Sequence, residues 1–181
     1  SPIGASFGVP SSGPTMRAYL VLRALLKRAV SVFFRHVEVV GLHHLEATRD
    51  GAVIFCGNHP NSLIDPILIT AFCGRVVHFA AKDTLFQSRF LRFFLRILGA
   101  VPVRRKSDHP DGPLDNQTTF QALYQVLAQG RAVGIFPEGL SHNESQLQPL
   151  KTGAARIAFG TKLFAPDARV YLLPTGHCYF T

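Results

Sequence analysis

The chain has no tryptophan, one methionine and three cysteines among its 181 residues. Cys56, Cys73 and Cys178 are odd in number, show no metal-ligand spacing and sit in apolar runs. Buried, reduced thiols in a cytosol-like compartment are therefore expected, not a disulfide framework. The other histidines are scattered, so no metal is expected. Acidic residues are scarce, 11 against 19 lysines and arginines, which leaves a net charge of +8. That balance favours an anionic partner: lipid headgroups, phosphorylated substrates, coenzyme A or nucleic acid. No uncharged apolar run of about 18 residues occurs near the start, which disfavours a spanning helix there. Gly-x-Ser-x-Gly is absent, which argues against a hydrolase elbow. An aromatic-glycine RNA-binding pattern, zinc-finger spacing and a sharply basic recognition helix are also missing, so nucleic acid is not the expected partner.

Residues 1–15 are rich in Gly, Pro and Ser and read as a disordered tail without the pattern of a signal peptide. The sequence starts at Ser1 and stops at Thr181 just after an apolar run, so a longer natural chain is expected. From Met16 to His36 a helical pattern carries Arg17, Arg23, Lys27, Arg28 and Arg35. It reads as a basic amphipathic helix on anionic lipid, or equally as a surface helix with a solvated charged face.

Beyond it, strands expected at Val37–Val40, Ala52–Cys56, Val76–Ala80, Val101–Val103, Ala132–Phe136 and Val170–Leu173 alternate with helical patterns. Helices are expected over Asp65–Phe72 (Asp65 as N-cap), Phe86–Leu98, Asp115–Gln129 and Gly153–Leu163, with a polar loop at Lys106–Pro113. This alternation predicts an α/β fold over residues 16–181: one layered domain, a central mixed sheet flanked by helices, and the N-terminal basic helix. In the Phe86–Leu98 helix, Arg89, Arg92 and Arg96 share a face while many aromatic and aliphatic residues occupy the rest. Such a helix is either buried on several sides or touches acyl chains with its aromatics and phosphates with its arginines.

Four clusters carry candidate chemistry. In Gly57-Asn58-His59-Pro60-Asn61-Ser62-Leu63-Ile64-Asp65, a histidine follows a strand end, where sites form in open α/β sheets. Such a histidine can take a proton from an alcohol, and a carboxylate on its other ring nitrogen would fix its tautomer. Asp65 alone reads more simply as a helix cap. Val101-Pro102-Val103-Arg104-Arg105-Lys106 places three cations after a strand, a phosphate-sized patch or merely a solvated charge run. Phe136-Pro137-Glu138-Gly139-Leu140-Ser141 repeats the strand-then-turn logic, with Gly139 free to let a backbone approach a ligand. Lys151 stands before a helix start, where anions are favoured.

Taken together and in this order, the clusters resemble those of the glycerolipid acyltransferases, the family of glycerol-3-phosphate and lysophosphatidate acyltransferases. Asn58-His59 through Asp65 is similar to the family's Asn-His-x4-Asp motif, Gly99 through Arg105 to its second motif, and Phe136-Pro137-Glu138-Gly139 with Ser141 to its third. Val170 through Pro174 resembles the fourth. The resemblance implies a membrane-associated, cytosol-facing enzyme that uses acyl-CoA as a substrate and needs no cofactor. His59 would be the base and Asp65 its orienting partner. Arg104, Arg105 and Lys151 would bind the acceptor phosphate. Glu138, Gly139 and Ser141 would meet the acceptor, and Gly57 and Asn58 would support the motif or the oxyanion, with backbone N–H groups near Gly57–Asn61 or Gly139 as donors. Pro174 would support the fourth motif.

The sequence departs from the family pattern in one respect: five residues separate His59 from Asp65 where four are usual. On a regular helix one extra residue rotates a side chain by about 100°. Because Pro60, Asn61 and Ser62 need not be helical, a bulge could restore the contact. Some members of the family's glycerol-3-phosphate branch carry the longer spacing, so, with the second motif, the resemblance implies glycerol 3-phosphate as acceptor; lysophosphatidate and a catalytically dead membrane scaffold are the rivals.

Overall fold

The computed structural model describes residues 16–103, 117–139 and 146–180. Within them lie α1 (Met16–Phe33), α2 (Leu42–Glu46), β1 (Ala52–Gly57), α3 (Ile64–Phe72), β2 (Val77–Lys82), a 3-10 turn (Asp83–Gln87), α4 (Arg89–Ile97), β3 (Val101–Val103), α5 (Gln117–Ala128), β4 (Ala132–Ile135), α6 (Gly153–Phe164) and β5 (Val170–Thr175). The strands form one sheet in the order β3-β2-β4-β1-β5. Among the described residues every pairing is parallel, so the sheet is not mixed. Helical crossovers explain this, since each returns the chain to the same end of the sheet.

The central strands are apolar on both faces, as a sheet covered on two sides requires. Ala52, Ile54 and Val133 join Ala122, Leu123, Val126 and Leu127 of α5 and Ile157 of α6 in one core. The alternate residues Val53, Phe55, Val77, Phe79 and Ala132 form a second core with Ile69 of α3. At roughly 25 cal/mol per Å² of buried apolar surface, these two layers dominate the stabilisation. At Gly134 of β4 an added Cβ would lie 2.2 Å from the Phe79 ring, so only glycine lets that ring cross the strand.

α1 packs on α3 through Tyr19, Leu22 and Val30, all buried. The Tyr19 hydroxyl donates to the Arg75 carbonyl at 3.1 Å and accepts from the Val77 N–H at 3.2 Å, which pins the helix to the start of β2. Burial pushes this phenol up to about 12. The outward side of α1 exposes Leu20, Val21, Leu25, Val32 and Phe33 beside Arg17, Lys27 and Arg28. No helix among the described residues is long and apolar enough to cross a membrane.

Several expectations are corrected. Val37–Val40 forms no strand, and Val40 is 83% exposed. Asp65 does not cap α3; Leu63 holds the cap position without a side-chain bond, and Asp65 lies inside the first turn. Cys178 is exposed rather than buried. The Phe86 pattern splits into the 3-10 turn and α4, whose start is capped by the Ser88 hydroxyl accepting from the Leu91 N–H at 3.4 Å. Arg92 turns back to donate to the Phe86 carbonyl at 2.7 Å. The polar loop at Lys106–Pro113 and the Asp115 helix start fall outside the described residues, as does the tail at 1–15.

Candidate active site

The His59 and Glu138 motifs follow the carboxyl ends of the parallel strands β1 and β4. β1 lies between β4 and β5, with Cys56 opposite Ile135 of β4 and Gly57 opposite Thr175 of β5. The segments after these three strands are therefore neighbours, the usual position of a site in an open parallel sheet.

His59 and Asp65 meet there, with Nδ1 2.9 Å from Oδ2. Asp65 is fully buried, and the histidine side chain is 12% exposed. The extra residue is taken up before the helix, because residues 58–63 are not helical and α3 begins only at Ile64. The Asn61 carbonyl accepts from the Ile64 and Asp65 N–H groups, each at 3.1 Å. In return the Asn61 N–H donates to Asp65 Oδ2 at 2.8 Å. This small turn, rather than helical periodicity, aims the carboxylate. With Asp65 accepting at Nδ1, the proton sits on that nitrogen and the lone pair on Nε2, the arrangement a general base needs.

Two residues of the third motif hold the histidine from other sides. The Phe136 ring stacks on the imidazole with centroids 3.9 Å apart and planes 9° from parallel. Buried Glu138 accepts the His59 backbone N–H on Oε1 at 2.8 Å and the Gln148 N–H on Oε2 at 2.9 Å. Glu138, expected to orient the acceptor, here holds two backbone N–H groups and so has a structural role. Gly139 has φ +78, and a Cβ there would meet the Lys151 ammonium at 2.5 Å. Glycine therefore admits the lysine side chain across the turn, while the Lys151 N–H donates to the Pro137 carbonyl at 2.8 Å.

The Asn58 side chain clamps the segment after β5. Its amide donates to the His177 carbonyl at 2.9 Å and its oxygen accepts the His177 N–H at 2.6 Å. Gly57 lies under this clamp, where a Cβ would press on the Phe136 ring at 3.1 Å and the His177 ring at 3.2 Å. Pro174 sits opposite Cys56 on β5, an edge strand where a missing N–H is tolerated. Arg104, Arg105 and Ser141 fall outside the described residues. Of the backbone donors expected for an oxyanion, His59 N–H is bound by Glu138, Asn61 N–H by Asp65 and Gly139 N–H by the Phe136 carbonyl.

Two site residues escaped the sequence reading. His177 makes the Asn58 clamp, and the Tyr179 hydroxyl donates to Asp65 Oδ1 at 2.5 Å. The only available signal was positional: whatever follows β5 must lie beside whatever follows β1 if the two strands pair.

An Acyltransferase family model matches residues 36–177, most of the chain. The chain belongs to that family. It is similar to glycerol-3-phosphate O-acyltransferase 2 of Saccharomyces cerevisiae, at 22% identity over 83% of this chain and 34% of that protein. It is also similar to a 1-acyl-sn-glycerol-3-phosphate acyltransferase of Borreliella burgdorferi, at 26% identity over 80% of this chain and 54% of the relative. The chloroplastic 1-acyl-sn-glycerol-3-phosphate acyltransferase BAT2 of Brassica napus is 25% identical over 84% of this chain and 42% of its own length. The chain thus spans from about a third to about half the length of these relatives.

In this acyltransferase-family chain two buried histidines respond to pH in the same sense. Desolvation lowers His177 below the ordinary 6.5, opposed in part by the Asp65 charge. Desolvation likewise lowers His78, whose Nδ1 bonds the Gly99 carbonyl at 2.9 Å. Because both are lowered, the folded chain holds fewer protons than the unfolded chain below about 6.5, so stability is full above that value and is lost as pH falls through it. Each ring contributes a slope of at most about 1.4 kcal/mol per pH unit. Urea midpoints should therefore fall between pH 7.5 and 5. A smaller fall over that range in His78→Asn than in the parent would assign the difference to His78, the remainder belonging to His177.

Proposed function

We propose that this chain transfers a fatty acyl group from acyl-CoA to a hydroxyl of glycerol 3-phosphate, at the cytosol-facing surface of a membrane, in phospholipid synthesis. The observation that carries this reading is the 2.9 Å contact between His59 and Asp65 beside the Glu138 turn in a chain of the Acyltransferase family. His59 Nε2 takes the proton of the acceptor hydroxyl as its oxygen attacks the thioester carbonyl. The tetrahedral intermediate collapses, the C–S bond breaks, and the imidazolium returns the proton to the leaving thiolate. No acyl-enzyme is required. Asp65 stabilises the transient positive charge on the ring.

Arg104 and Arg105, which follow β3 in sequence, and Lys151 before α6 are the cations proposed for the acceptor phosphate. Glu138 and Ser141 are proposed to meet the acceptor hydroxyls. The exposed apolar side chains of α1, interleaved with Arg17, Lys27 and Arg28, support docking on anionic lipid. Lysophosphatidate is the second reading of the acceptor, favoured by the names of the Borreliella and Brassica relatives.

The test is coenzyme A release from a long-chain acyl-CoA with anionic vesicles, with glycerol 3-phosphate or lysophosphatidate as acceptor. Release that depends on glycerol 3-phosphate, and that falls at least about 100-fold in His59→Ala, is expected. Release with lysophosphatidate alone would replace the acceptor assignment. A full-length, membrane-bound protein inert with both acceptors would overturn the reading.

A further inference from the structure

We propose that Tyr179 is a positioning residue that fixes the rotation of the Asp65 carboxylate and so the direction in which His59 is held. Asp65 is buried among three donors. Oδ2 accepts from the His59 ring and the Asn61 N–H, and Oδ1 accepts from the Tyr179 hydroxyl at 2.5 Å. A carboxylate rotates about a broad terminal torsion with little intrinsic preference, so its orientation is set by its donors. The two donors on Oδ2 fix one oxygen. Among the described residues only the tyrosine fixes the other, and without it a buried oxygen would lack a partner and swing to find one.

The tyrosine is itself held. Its ring lies 6.0 Å from that of Phe34, just past the end of α1, and Phe34 contacts Phe33 edge-on at 5.1 Å. The Asn58–His177 clamp fixes the backbone two residues upstream. Burial and the Asp65 carboxylate push the phenol well above its ordinary value, so it remains a donor at any working pH. Tyr179 lies beyond the span matched by the family model, which stops at 177.

The inference rests on the proposed base role of His59 for its kinetic readout, but not for its spectroscopic one. Tyr179→Phe removes the hydroxyl and keeps the ring against Phe34. The expected result is a fall in kcat of about 10-fold with the acceptor KM unchanged within about twofold. In the same variant the His59 Nδ1 proton, followed by NMR on the full chain, should broaden through exchange with solvent as the carboxylate loses its fixed rotation.

An Nδ1 signal identical to wild type overturns the proposal whatever the rate does. A signal that changes while kcat stays at the wild-type value overturns it too. A lowered melting temperature with an unchanged Nδ1 signal would leave Tyr179 a packing residue only. If the wild-type protein transfers no acyl group, the function reading fails, while the Nδ1 comparison still decides the role of Tyr179.

Discussion

Asp65→Asn should lower acyl transfer by about 100- to 1,000-fold while leaving the chain folded, with intact binding of both substrates. The geometry gives the reason. An asparagine can turn its carbonyl oxygen toward the His59 ring and the Asn61 N–H, the two donors now on Oδ2. Its amide then faces the Tyr179 hydroxyl, which can accept as readily as it donates. All three partners keep a hydrogen bond to the side chain, so this substitution chiefly removes charge. What disappears is the anion that stabilises the imidazolium formed as the acceptor loses its proton. The loss should therefore lie in kcat, with KM little changed. Single-turnover rates at saturating acyl-CoA, beside a thermal melt, would check this. Wild-type turnover by a folded Asp65→Asn variant would show that the pair is structural and that the base lies elsewhere.

Glu138→Gln should be costly in two ways at once. The carboxylate is 4% exposed and accepts one backbone N–H on each oxygen, from His59 and from Gln148. A glutamine has one oxygen to offer, and its amide would point two hydrogens at a backbone N–H that is already a donor. One buried N–H loses its partner, at a cost of about 1–3 kcal/mol. The urea midpoint should drop accordingly. If the oxygen stays with Gln148, the His59 backbone is released, and transfer should fall by a further factor of roughly 10 to 100 because the imidazole is no longer held against Phe136. A higher acceptor KM at unchanged stability would instead assign Glu138 to the acceptor hydroxyls alone.

The α/β alternation was legible because each strand is a short apolar run and each helix has a 3.6-residue stripe, both set locally. Ala52–Gly57, Val101–Val103 and Gly153–Phe164 fall where the pattern places them, to within a residue. Val37–Val40 has the same local pattern but pairs with no strand of the sheet, and a strand without a partner is not a strand. The mixed sheet was a misreading of the same kind: direction depends on how each crossover returns, which no window of residues contains. At the site, His59, Asp65 and Glu138 announce themselves by type and spacing. The contact that closes the long His–Asp interval depends on the Asn61 turn, which spacing alone does not reveal. Tyr179 and His177 were illegible for a further reason. Nothing in Gly-His-Cys-Tyr-Phe marks chemistry until β5 is known to lie beside β1.

The placement of β1 also governs the order in which the molecule can assemble. β1 is made well before its two neighbours, which come from around residues 132 and 170. Until they are made, a strand of Ala, Val, Ile and Phe has both edges open, the condition in which nascent chains stick to one another. The contacts that complete the site, Asn58 with His177 and Asp65 with Tyr179, close very long loops and so form among the last. Holdase chaperones would be most needed in the interval after β1 has left the exit tunnel and before β5 has followed it.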